Sequence, residues 1–290
     1  MKVCLHCKYI FPSDKFICPS CGYKPESFTE IESYAPDFAS SGGGFKPEYF
    51  SQLARLEEKN FWFRARNKLI VWALEAYKPD ASTFLEVGCG TGFVLSGIAS
   101  ALPRLALSGS EIFLDGISHA TKRVPSAHFM QMDARRVPFW EEFDVIGAFD
   151  VLEHIKEDEA VLTQLYSAIK PGGILLLTVP QHPWLWSTSD EHACHVRRYS
   201  RAEIEKKVST AGFEILRSSS FVTILLPALI LSRILQKKKL KDFDPAQELK
   251  INYFVNMIFY GLMMLDIKGI KLGMNYSLGG SRIIVARKCN

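Results

Sequence analysis

Between residues 84 and 179, short apolar segments alternate with segments of helical pattern, and few folds accommodate that order. Parallel neighbours in a sheet need a long crossover connection, usually a helix, so the alternation predicts an α/β fold with a mostly parallel, doubly wound sheet. The last segment is apolar on both faces, as expected of a central parallel strand. The predicted strands are Phe84–Val87, Leu105–Gly109, His128–Gln131, Phe143–Phe149 and Ile174–Val179.

Composition divides the 290 residues into three regions. Residues 1–25 hold four of the seven cysteines, and residues 26–47 are rich in Ser, Gly and Pro, which predicts a flexible linker. Residues 48–290 are the predicted main domain, which begins with a helix over Pro47–Tyr77. The sequence after Met1 is polar, so we expect no secretory signal and a reducing, cytoplasmic location. The formal net charge is only +4, with both signs interspersed, which disfavours nucleic acid as a partner.

A glycine loop follows the first strand and opens a helix, with Gly88, Gly90 and Gly92 spaced as G-x-G-x-G around Cys89. Glycines let the backbone turn sharply and let a ligand approach it closely. The dinucleotide fingerprint requires G-x-G-x-x-G, and position 93 is Phe, so a nicotinamide cofactor is disfavoured. A tight turn in any α/β protein looks similar, so the loop alone is a weak signal. We interpret Cys89 as a small loop residue and not as a nucleophile.

Acidic residues at the ends of successive strands strengthen that signal. Glu111 ends the second strand, 19 residues after Gly92, where a carboxylate can accept hydrogen bonds from both hydroxyls of a ribose. Asp133 ends the third strand, where it can accept from an adenine amino group, and Asp150 ends the fourth. Each carboxylate alone is typical of a solvated loop or a helix cap. Together they predict a ligand site, because the carboxyl ends of parallel strands meet at one edge of the sheet.

In combination these motifs resemble the class I, Rossmann-like S-adenosylmethionine-dependent methyltransferases over about residues 80–180. The resemblance implies S-adenosyl-L-methionine as the cofactor and a sheet of seven strands. The last two strands, Phe213–Leu216 and Ser281–Ala286, would pair antiparallel. The motifs that resemble the family are Leu85–Gly92, Glu111, Asp133, Phe143–Val145, Leu152–His154 and Leu165–Gly173.

By this resemblance Glu86 and the glycine loop hold the methionine end of the cofactor, while Phe149 and Asp150 line its sulfonium. The implied cofactor-binding residues are Glu86, Gly88, Cys89, Gly90, Gly92, Glu111, Asp133, Ala134, Phe149 and Asp150. The preceding segment, Lys59–Arg66, resembles a helix in a bacterial subgroup that acts on small molecules and lipids. Trp62 and Arg66 are therefore expected to cover the cofactor. The alternative is that the aromatic residues only pack this helix onto the sheet.

Four of the seven histidines lie between residues 154 and 195, after the fourth and fifth strands, where a methyl acceptor would sit. Histidine suits proton removal near neutral pH, so His154, His192 and His195 are the candidate catalytic bases. The alternative is that His192 and His195 only organise their loop. A metal site that combines them with Asp190 and Cys194 matches no familiar ligand spacing.

More than sixty residues separate the last two predicted strands, far more than a hairpin needs. This insertion, at about residues 221–278, contains the apolar stretches Phe221–Leu231 and Ile251–Leu265 and the basic run Lys237–Lys241. Neither stretch reaches the roughly 20 residues that span a bilayer. One hypothesis is a peripheral membrane contact through residues 221–265, at the inner face of the membrane, that admits a lipid-like acceptor. The alternative is a helical lid or a dimer interface with solvated lysines.

The N-terminal cysteines form two C-x-x-C pairs, Cys4 with Cys7 and Cys18 with Cys21. Four thiolates at these spacings can close a tetrahedral Zn²⁺ site, so we predict a small structural zinc ribbon. Two disulfides are the alternative, which a reducing compartment disfavours. The ribbon is expected to dock a partner protein or a substrate.

The sequence therefore favours S-adenosylmethionine-dependent methyl transfer to a small-molecule or lipid-linked acceptor. A protein or RNA methyltransferase targeted by the zinc ribbon is one alternative. Another is a non-catalytic zinc-ribbon adaptor, and the intact set of carboxylates at the strand ends argues against it. An Asn-Pro-Pro-Tyr sequence after the fourth strand would favour methylation of an exocyclic amine on a base or of a glutamine side chain. Phe149–Leu152 occupies that position here, which disfavours such substrates.

Overall fold

The structure, a computed structural model, describes residues 1–13, 16–40, 48–236 and 251–289. The strands in these ranges are β1 (Lys2–Val3), β2 (Ile10–Phe11), β3 (Glu26–Phe28), β4 (Ile31–Ser33), β5 (Thr83–Val87), β6 (Ala106–Glu111), β7 (His128–Gln131), β8 (Phe143–Phe149), β9 (Ile169–Pro180), β10 (Phe213–Phe221) and β11 (Ser281–Lys288). The helices are α1 (Glu48–Leu56), α2 (Phe61–Tyr77), α3 (Phe93–Ala101), α4 (Leu114–Arg123), α5 (Asp158–Ala168), α6 (Thr188–His192), α7 (Arg201–Thr210), α8 (Leu226–Gln236) and α9 (Tyr253–Lys271). Short 3-10 helices occur at Pro36–Phe38, Leu152–His154 and Pro183–Leu185.

The central sheet has the order β10-β11-β9-β8-β5-β6-β7-β4-β3. Neighbours from β9 across to β4 are parallel, whereas β11 is antiparallel to both β9 and β10. These pairings confirm an α/β fold with a mostly parallel sheet and the antiparallel pairing of the last two strands. The predicted number of seven strands was too low, because nine strands within the described residues form the sheet.

The two additional strands come from the segment that was predicted to be a flexible linker. The hairpin β3–β4 joins the edge of the sheet, where Ser33 of β4 lies opposite Gln131 of β7 in parallel register. The Gln131 side chain accepts hydrogen bonds from Ser33 Oγ (2.7 Å) and from the Ala35 backbone N–H (3.0 Å). The linker prediction was therefore wrong for residues 26–40, because strands of three residues show too little pattern to be recognised. Residues 41–47 lie outside the described ranges.

Both faces of the sheet are covered by helices. In β5 the side chains of Phe84 and Leu85 point into two separate cores, because successive residues of a strand face opposite sides. The core around Leu85 contains residues of α5 and α7, and the core around Phe84 contains residues of α2, α3, α4 and α9. This arrangement confirms the doubly wound architecture.

The predicted helix over Pro47–Tyr77 is two helices, α1 and α2. Asn60 ends the connection between them, and its side chain accepts from the Trp62 backbone N–H (2.9 Å), which caps the start of α2. Glu57 lies in the same connection and binds Thr91 of the glycine loop (2.6 Å) and Arg123 of α4 (2.8 Å). The connection therefore fixes the glycine loop from outside the sheet.

The insertion between β10 and β11 contains α8 and α9, and α9 packs along α2. The Asn256 side chain on α9 accepts from the Phe61 N–H and donates to the Lys59 carbonyl, each at 2.8 Å. Further along α9, the buried Asp266 accepts from the Thr223 N–H (2.6 Å) ahead of α8. One face of α9 is thus bound to the domain. The basic run Lys237–Lys241 lies outside the described residues.

Candidate active site

A cavity of about 480 Å³ opens at the carboxyl ends of β5, β6, β7 and β8, the edge at which the sequence predicts a ligand. Of the predicted cofactor-binding and catalytic residues, those that line it are Gly88, Gly90, Glu111, Asp133, Ala134, Asp150 and His154. The structure thus brings together residues that lie as many as 66 positions apart in the sequence.

The glycine loop requires glycine at two positions, because the backbone there has a positive φ and there is no room for a Cβ atom. Gly88 has a φ of +71°, and a Cβ there would meet the Val151 side chain at 2.5 Å. Gly92, the residue before α3, has a φ of +74°, and a Cβ there would meet Ala120 of α4 at 3.0 Å. Side chains at these positions would strain the turn and collide with Val151 and with Ala120 of α4.

Glu111 presents a carboxylate to the cavity from the end of β6. One of its oxygens accepts from the Gly90 N–H (3.0 Å), and the other accepts from the N–H groups of Ile112 (2.8 Å) and Phe113 (3.3 Å). Burial raises the pKa of Glu111, although these three backbone hydrogen bonds oppose the shift. The backbone thus holds two acceptor atoms in one orientation beside the glycine loop.

Asp133 lines the far end of the cavity and forms a close ion pair with Arg135. Its two oxygens accept from Arg135 Nε (3.0 Å) and Nη2 (2.8 Å), and the guanidinium lies 5.7 Å from the centre of the Phe38 ring. Arg135 and Phe38 both line the cavity, and neither was singled out in the sequence. Phe38 belongs to the supposed linker, so no sequence pattern pointed to it.

Arg66 and Trp62 are not among the residues that line the cavity, and their role in covering the cofactor stays a prediction. Arg66 donates to the Asp150 carboxylate, which also accepts from Thr178 Oγ1 (3.2 Å), and its guanidinium lies 4.4 Å from the centre of the Trp62 ring. Asp150 itself has a φ of +57°, in the left-handed region that residues other than glycine seldom adopt. Arg66 therefore holds a strained cavity residue in place.

Four more of the predicted cofactor-binding residues lie behind the cavity. Cys89 and Phe149 are buried in the core on the α2 side of the sheet, and burial raises the pKa of the Cys89 thiol well above its usual range, which supports its interpretation as a small loop residue. Gly92 begins α3. Glu86 is buried, and its Oε2 has no hydrogen-bond partner among the described residues. Burial, opposed by the charge of Arg66, raises the pKa of Glu86.

Among the candidate bases, His154 lines the cavity and packs edge-on against His195, with 4.7 Å between ring centres. Burial, together with the charge of His195, lowers the pKa of His154 to about 3, so the ring is neutral near neutral pH. His195 Nδ1 lies 3.0 Å from the buried Asp190 carboxylate. His192 is on α6 and is not one of the residues that line the cavity.

Glu153 is a further residue of this group that the sequence analysis left without a role. It is fully buried, and neither carboxylate oxygen has a hydrogen-bond partner within the described part of the chain. Burial and the charge of Asp150 raise the pKa of Glu153 well above its usual range. The only sequence signal was its place within the motif Leu152–His154.

The four N-terminal cysteines also converge. Cys4 Sγ lies 3.6 Å from Cys21 Sγ, and Cys7 Sγ lies 3.5 Å from Cys18 Sγ, well beyond the roughly 2.05 Å of a disulfide. A zinc ion bound at about 2.3 Å by four sulfurs places them about 3.8 Å apart, so the cluster has nearly the size of a tetrahedral thiolate site. The Cys7 N–H lies 3.4 Å from Cys4 Sγ, as in a knuckle turn.

Comparison with known proteins agrees with this geometry. A family model described as a methyltransferase domain matches residues 55–218, more than half of the chain. A probable S-adenosylmethionine-dependent methyltransferase of Mycolicibacterium smegmatis is 26% identical over 163 residues, which cover 55% of this chain and 62% of that protein. A trans-aconitate 2-methyltransferase of Variovorax paradoxus is 28% identical over 105 residues, or 36% of this chain and 40% of that enzyme. The chain thus spans less than two thirds of the length of these relatives.

A solved structure, that of the cyclase SpnF, shares the fold with a TM-score of 0.53 at 19% identity and covers 79% of this chain and 83% of that one. At that identity the likeness concerns the fold alone. The match to the family model spans the glycine loop, the acidic strand ends and the histidines beside the cavity. The chain belongs to the methyltransferase domain family.

Proposed function

We propose that the protein transfers a methyl group from S-adenosyl-L-methionine to a small-molecule or lipid-linked acceptor. The observation that supports this most directly is the Glu111 carboxylate, which three backbone N–H groups hold at the cavity beside the bare backbone of Gly88 and Gly90. A pair of fixed acceptor oxygens in that place suits the two hydroxyls of a ribose. Asp133 and Ala134, at the next strand end, would face the adenine ring.

The residues at the other end of the site suit the methionine part of the cofactor. Glu86 lies two residues before Gly88, the first glycine of the loop. Its buried Oε2 accepts no hydrogen bond from the described residues and can accept one from an ammonium group. A Cβ at Gly88 would meet the Val151 side chain at 2.5 Å, so the glycine lets the loop pack closely against this residue of the cavity wall. Asp150, held by Arg66, carries a negative charge that would favour a positively charged sulfonium.

The cofactor, when bound, supplies both the activated methyl group and its leaving group. The protein must then align the acceptor with the methyl group, exclude water and handle any proton that the acceptor loses. Val151, Ile155 and Val196 give the acceptor side of the cavity an apolar wall. His154 faces the cavity there, and His195 packs behind it with its orientation set by Asp190.

A small acceptor is consistent with the size of the cavity and with the relative named for trans-aconitate, a small molecule. Isothermal titration calorimetry of the purified, zinc-loaded protein tests the proposal. We expect S-adenosyl-L-methionine and S-adenosylhomocysteine to bind with one site per chain, and NAD not to bind. Absence of heat with both adenosyl compounds would rule out the proposed function, and binding of NAD instead would favour an oxidoreductase.

We also propose that Cys4, Cys7, Cys18 and Cys21 bind a structural zinc ion. The sulfur positions suit a closed tetrahedral site, and such a site leaves no position for a substrate, so its role would be structural. Thiolate ligands persist in a reducing compartment, so the zinc proposal goes together with a cytoplasmic location. A ribbon of this kind could also receive a partner protein.

We further propose that α9 rests on the inner face of a membrane. Among the described residues it is the one helix long and apolar enough to span a bilayer, with 28% of its most apolar window buried. Phe254 and Ile258 are exposed by 74% and 60%. The hydrogen bonds of Asn256 to the start of α2 and the buried Asp266 hold the opposite face against the protein, so the helix suits an interfacial position better than a spanning one.

Flotation with phosphatidylcholine vesicles, with and without phosphatidylglycerol, tests this contact. We expect the intact protein to float with the anionic vesicles, and the Phe254→Glu variant to lose about tenfold or more of that partitioning, because a buried phenylalanine contributes about 1.5–3 kcal/mol. Ile17→Glu, at an exposed apolar residue of the cysteine region, is the matched control and should float like the unmodified protein. If the unmodified protein stays at the bottom with both vesicle types, the membrane contact is wrong.

A further inference from the structure

Three potential metal ligands converge beside the cavity without having been assigned to the cofactor. One ligand atom from each of Glu153, His154 and His195 lies within 4.8 Å of the other two. His195 Nε2 and Glu153 Oε1 are 3.9 Å apart. Ligands bound to a transition metal at about 2.0–2.2 Å lie roughly 3–4 Å from one another, so a small contraction of this group would enclose an ion.

The buried carboxylate of Glu153 makes a cation in this place favourable. Both of its oxygens lack hydrogen-bond partners among the described residues, although the side chain is fully buried. Such a charge is costly unless it is paired or coordinates a metal. The two arginines whose charges act on Glu153 are occupied elsewhere, because Arg66 donates to Asp150 and Arg198 Nε donates to Asp190 (2.7 Å).

The histidine behind the cavity is oriented as metal-binding histidines are. Asp190 lies 3.0 Å from His195 Nδ1, which leaves His195 Nε2 on the side of Glu153. Histidines that bind metals commonly donate their other ring N–H to a carboxylate in this way, which fixes the tautomer and the ring. Asp190 is buried, accepts from Arg198 and forms a capping box with Ser187, so its own position is fixed.

We infer that Glu153, His154 and His195 bind a divalent first-row transition metal ion at the acceptor side of the cavity. Two imidazole nitrogens and one carboxylate oxygen suit Zn²⁺, Fe²⁺, Co²⁺ or Mn²⁺ and leave coordination positions open. His154 and its neighbour Cys194 both line the cavity, so a ligand in the cavity can reach those positions. In this assignment the two histidines hold the ion and do not accept the proton of the substrate.

The role of the ion, though not its binding, rests on the proposed function. An ion there would bind an oxygen of the acceptor and lower the pKa of a hydroxyl. The hydroxyl then loses its proton to water, the oxygen–carbon bond forms as the carbon–sulfur bond breaks, and the neutral thioether leaves with the electron pair of that bond. The acceptor class that follows is a molecule with a hydroxyl group that can bind the ion.

Protein loaded with one zinc ion per chain, which the four thiolates retain, is titrated with Mn²⁺ and followed by electron paramagnetic resonance to test the site. Mn²⁺ prefers nitrogen and oxygen ligands and does not compete for four thiolates, so the N-terminal cysteines do not contribute to the signal. We expect one bound Mn²⁺ per chain and, in spin-echo spectra of the unmodified protein, modulation from coordinated imidazole nitrogen. Binding without nitrogen modulation, or no binding, would overturn the assignment and leave Glu153 as a protonated, buried acid.

Variants sharpen the comparison. His195→Ala should abolish stoichiometric binding, and Asp190→Asn should weaken it about 10–100-fold through the orientation of His195. His192→Ala, three positions away in the same segment, is the matched control and should bind Mn²⁺ like the unmodified protein. The titration with S-adenosylhomocysteine is run without Mn²⁺. A protein that binds S-adenosylhomocysteine but not Mn²⁺ would contradict the metal site alone, whereas one that binds Mn²⁺ but not S-adenosylhomocysteine would contradict the proposed function alone.

Discussion

Replacing Glu111 by alanine is expected to weaken the binding of S-adenosyl-L-methionine by about 100-fold. The change removes two hydrogen bonds from ribose hydroxyls to a charged acceptor, each contributing about 1.5 kcal/mol or more. It also leaves the N–H groups of Gly90, Ile112 and Phe113 without the carboxylate that orders them, so the glycine loop loses its fixed geometry. Calorimetric titration with S-adenosylhomocysteine, which cannot react, gives the affinity directly.

Two variants make this result specific. Asp115→Ala removes an exposed carboxylate at the start of α4, four positions along the chain, and should leave the affinity unchanged. Glu111→Gln keeps one acceptor oxygen and should fall between the unmodified protein and the alanine variant. A thermal melt of each variant shows whether the fold is intact. Glu111→Ala with intact folding and undiminished affinity would remove the ribose assignment.

The second large effect is expected when the zinc ligands are removed. The double variant Cys4→Ser/Cys18→Ser should lose the zinc ion and unfold the first 25 residues, because a segment this small draws much of its folding free energy from metal binding. Cys4 and Cys18 are both buried and pack with Phe11 and Phe16 against the main domain. Zinc content, measured after thiol modification, and limited proteolysis of this segment report the two consequences.

Loss of the zinc ion should also affect the cavity. The Val3 N–H donates to the Pro138 carbonyl (2.9 Å), and Arg136 donates to the Leu5 carbonyl (3.3 Å), so the cysteine segment supports the loop that follows Asp133. We therefore expect a weaker, though not abolished, affinity for the cofactor in the double variant. Cys289→Ser changes an exposed cysteine and is the control. A zinc content of the double variant equal to that of the unmodified protein, or a mass change of the native protein on reduction, would contradict the zinc assignment.

Sequence patterns predicted the parts of this molecule in which local and long-range structure agree. The parallel sheet followed from the spacing of apolar segments, and Glu111, Asp133 and Asp150 followed from their positions at strand ends. The hairpin β3–β4 was missed because its strands have three residues each and derive their stability from pairing with β7. Nothing in the local sequence distinguishes such a segment from a linker.

Contacts between residues far apart in the sequence could not be predicted from it either. Arg66 was expected over the cofactor, and the structure pairs its guanidinium with the Asp150 carboxylate, 84 positions away and just after β8. His192 and His195 looked equivalent in the sequence. The structure directs His195 towards His154 and Glu153, whereas His192 lies on α6, apart from the residues that line the cavity. His195 follows the end of α6, and no pattern in the sequence indicates which of the two side chains is directed towards His154.

The hairpin β3–β4 also determines how the sheet ends. A strand at the edge of a sheet presents unpaired backbone groups to which another chain can add, and proteins commonly protect such edges with very short or charged strands. Here β3 has three residues and starts at Glu26, so it offers little template for growth. Without the hairpin, the apolar β7, with Phe129 and Met130, would become the edge, and molecules shortened to the main domain would associate through it.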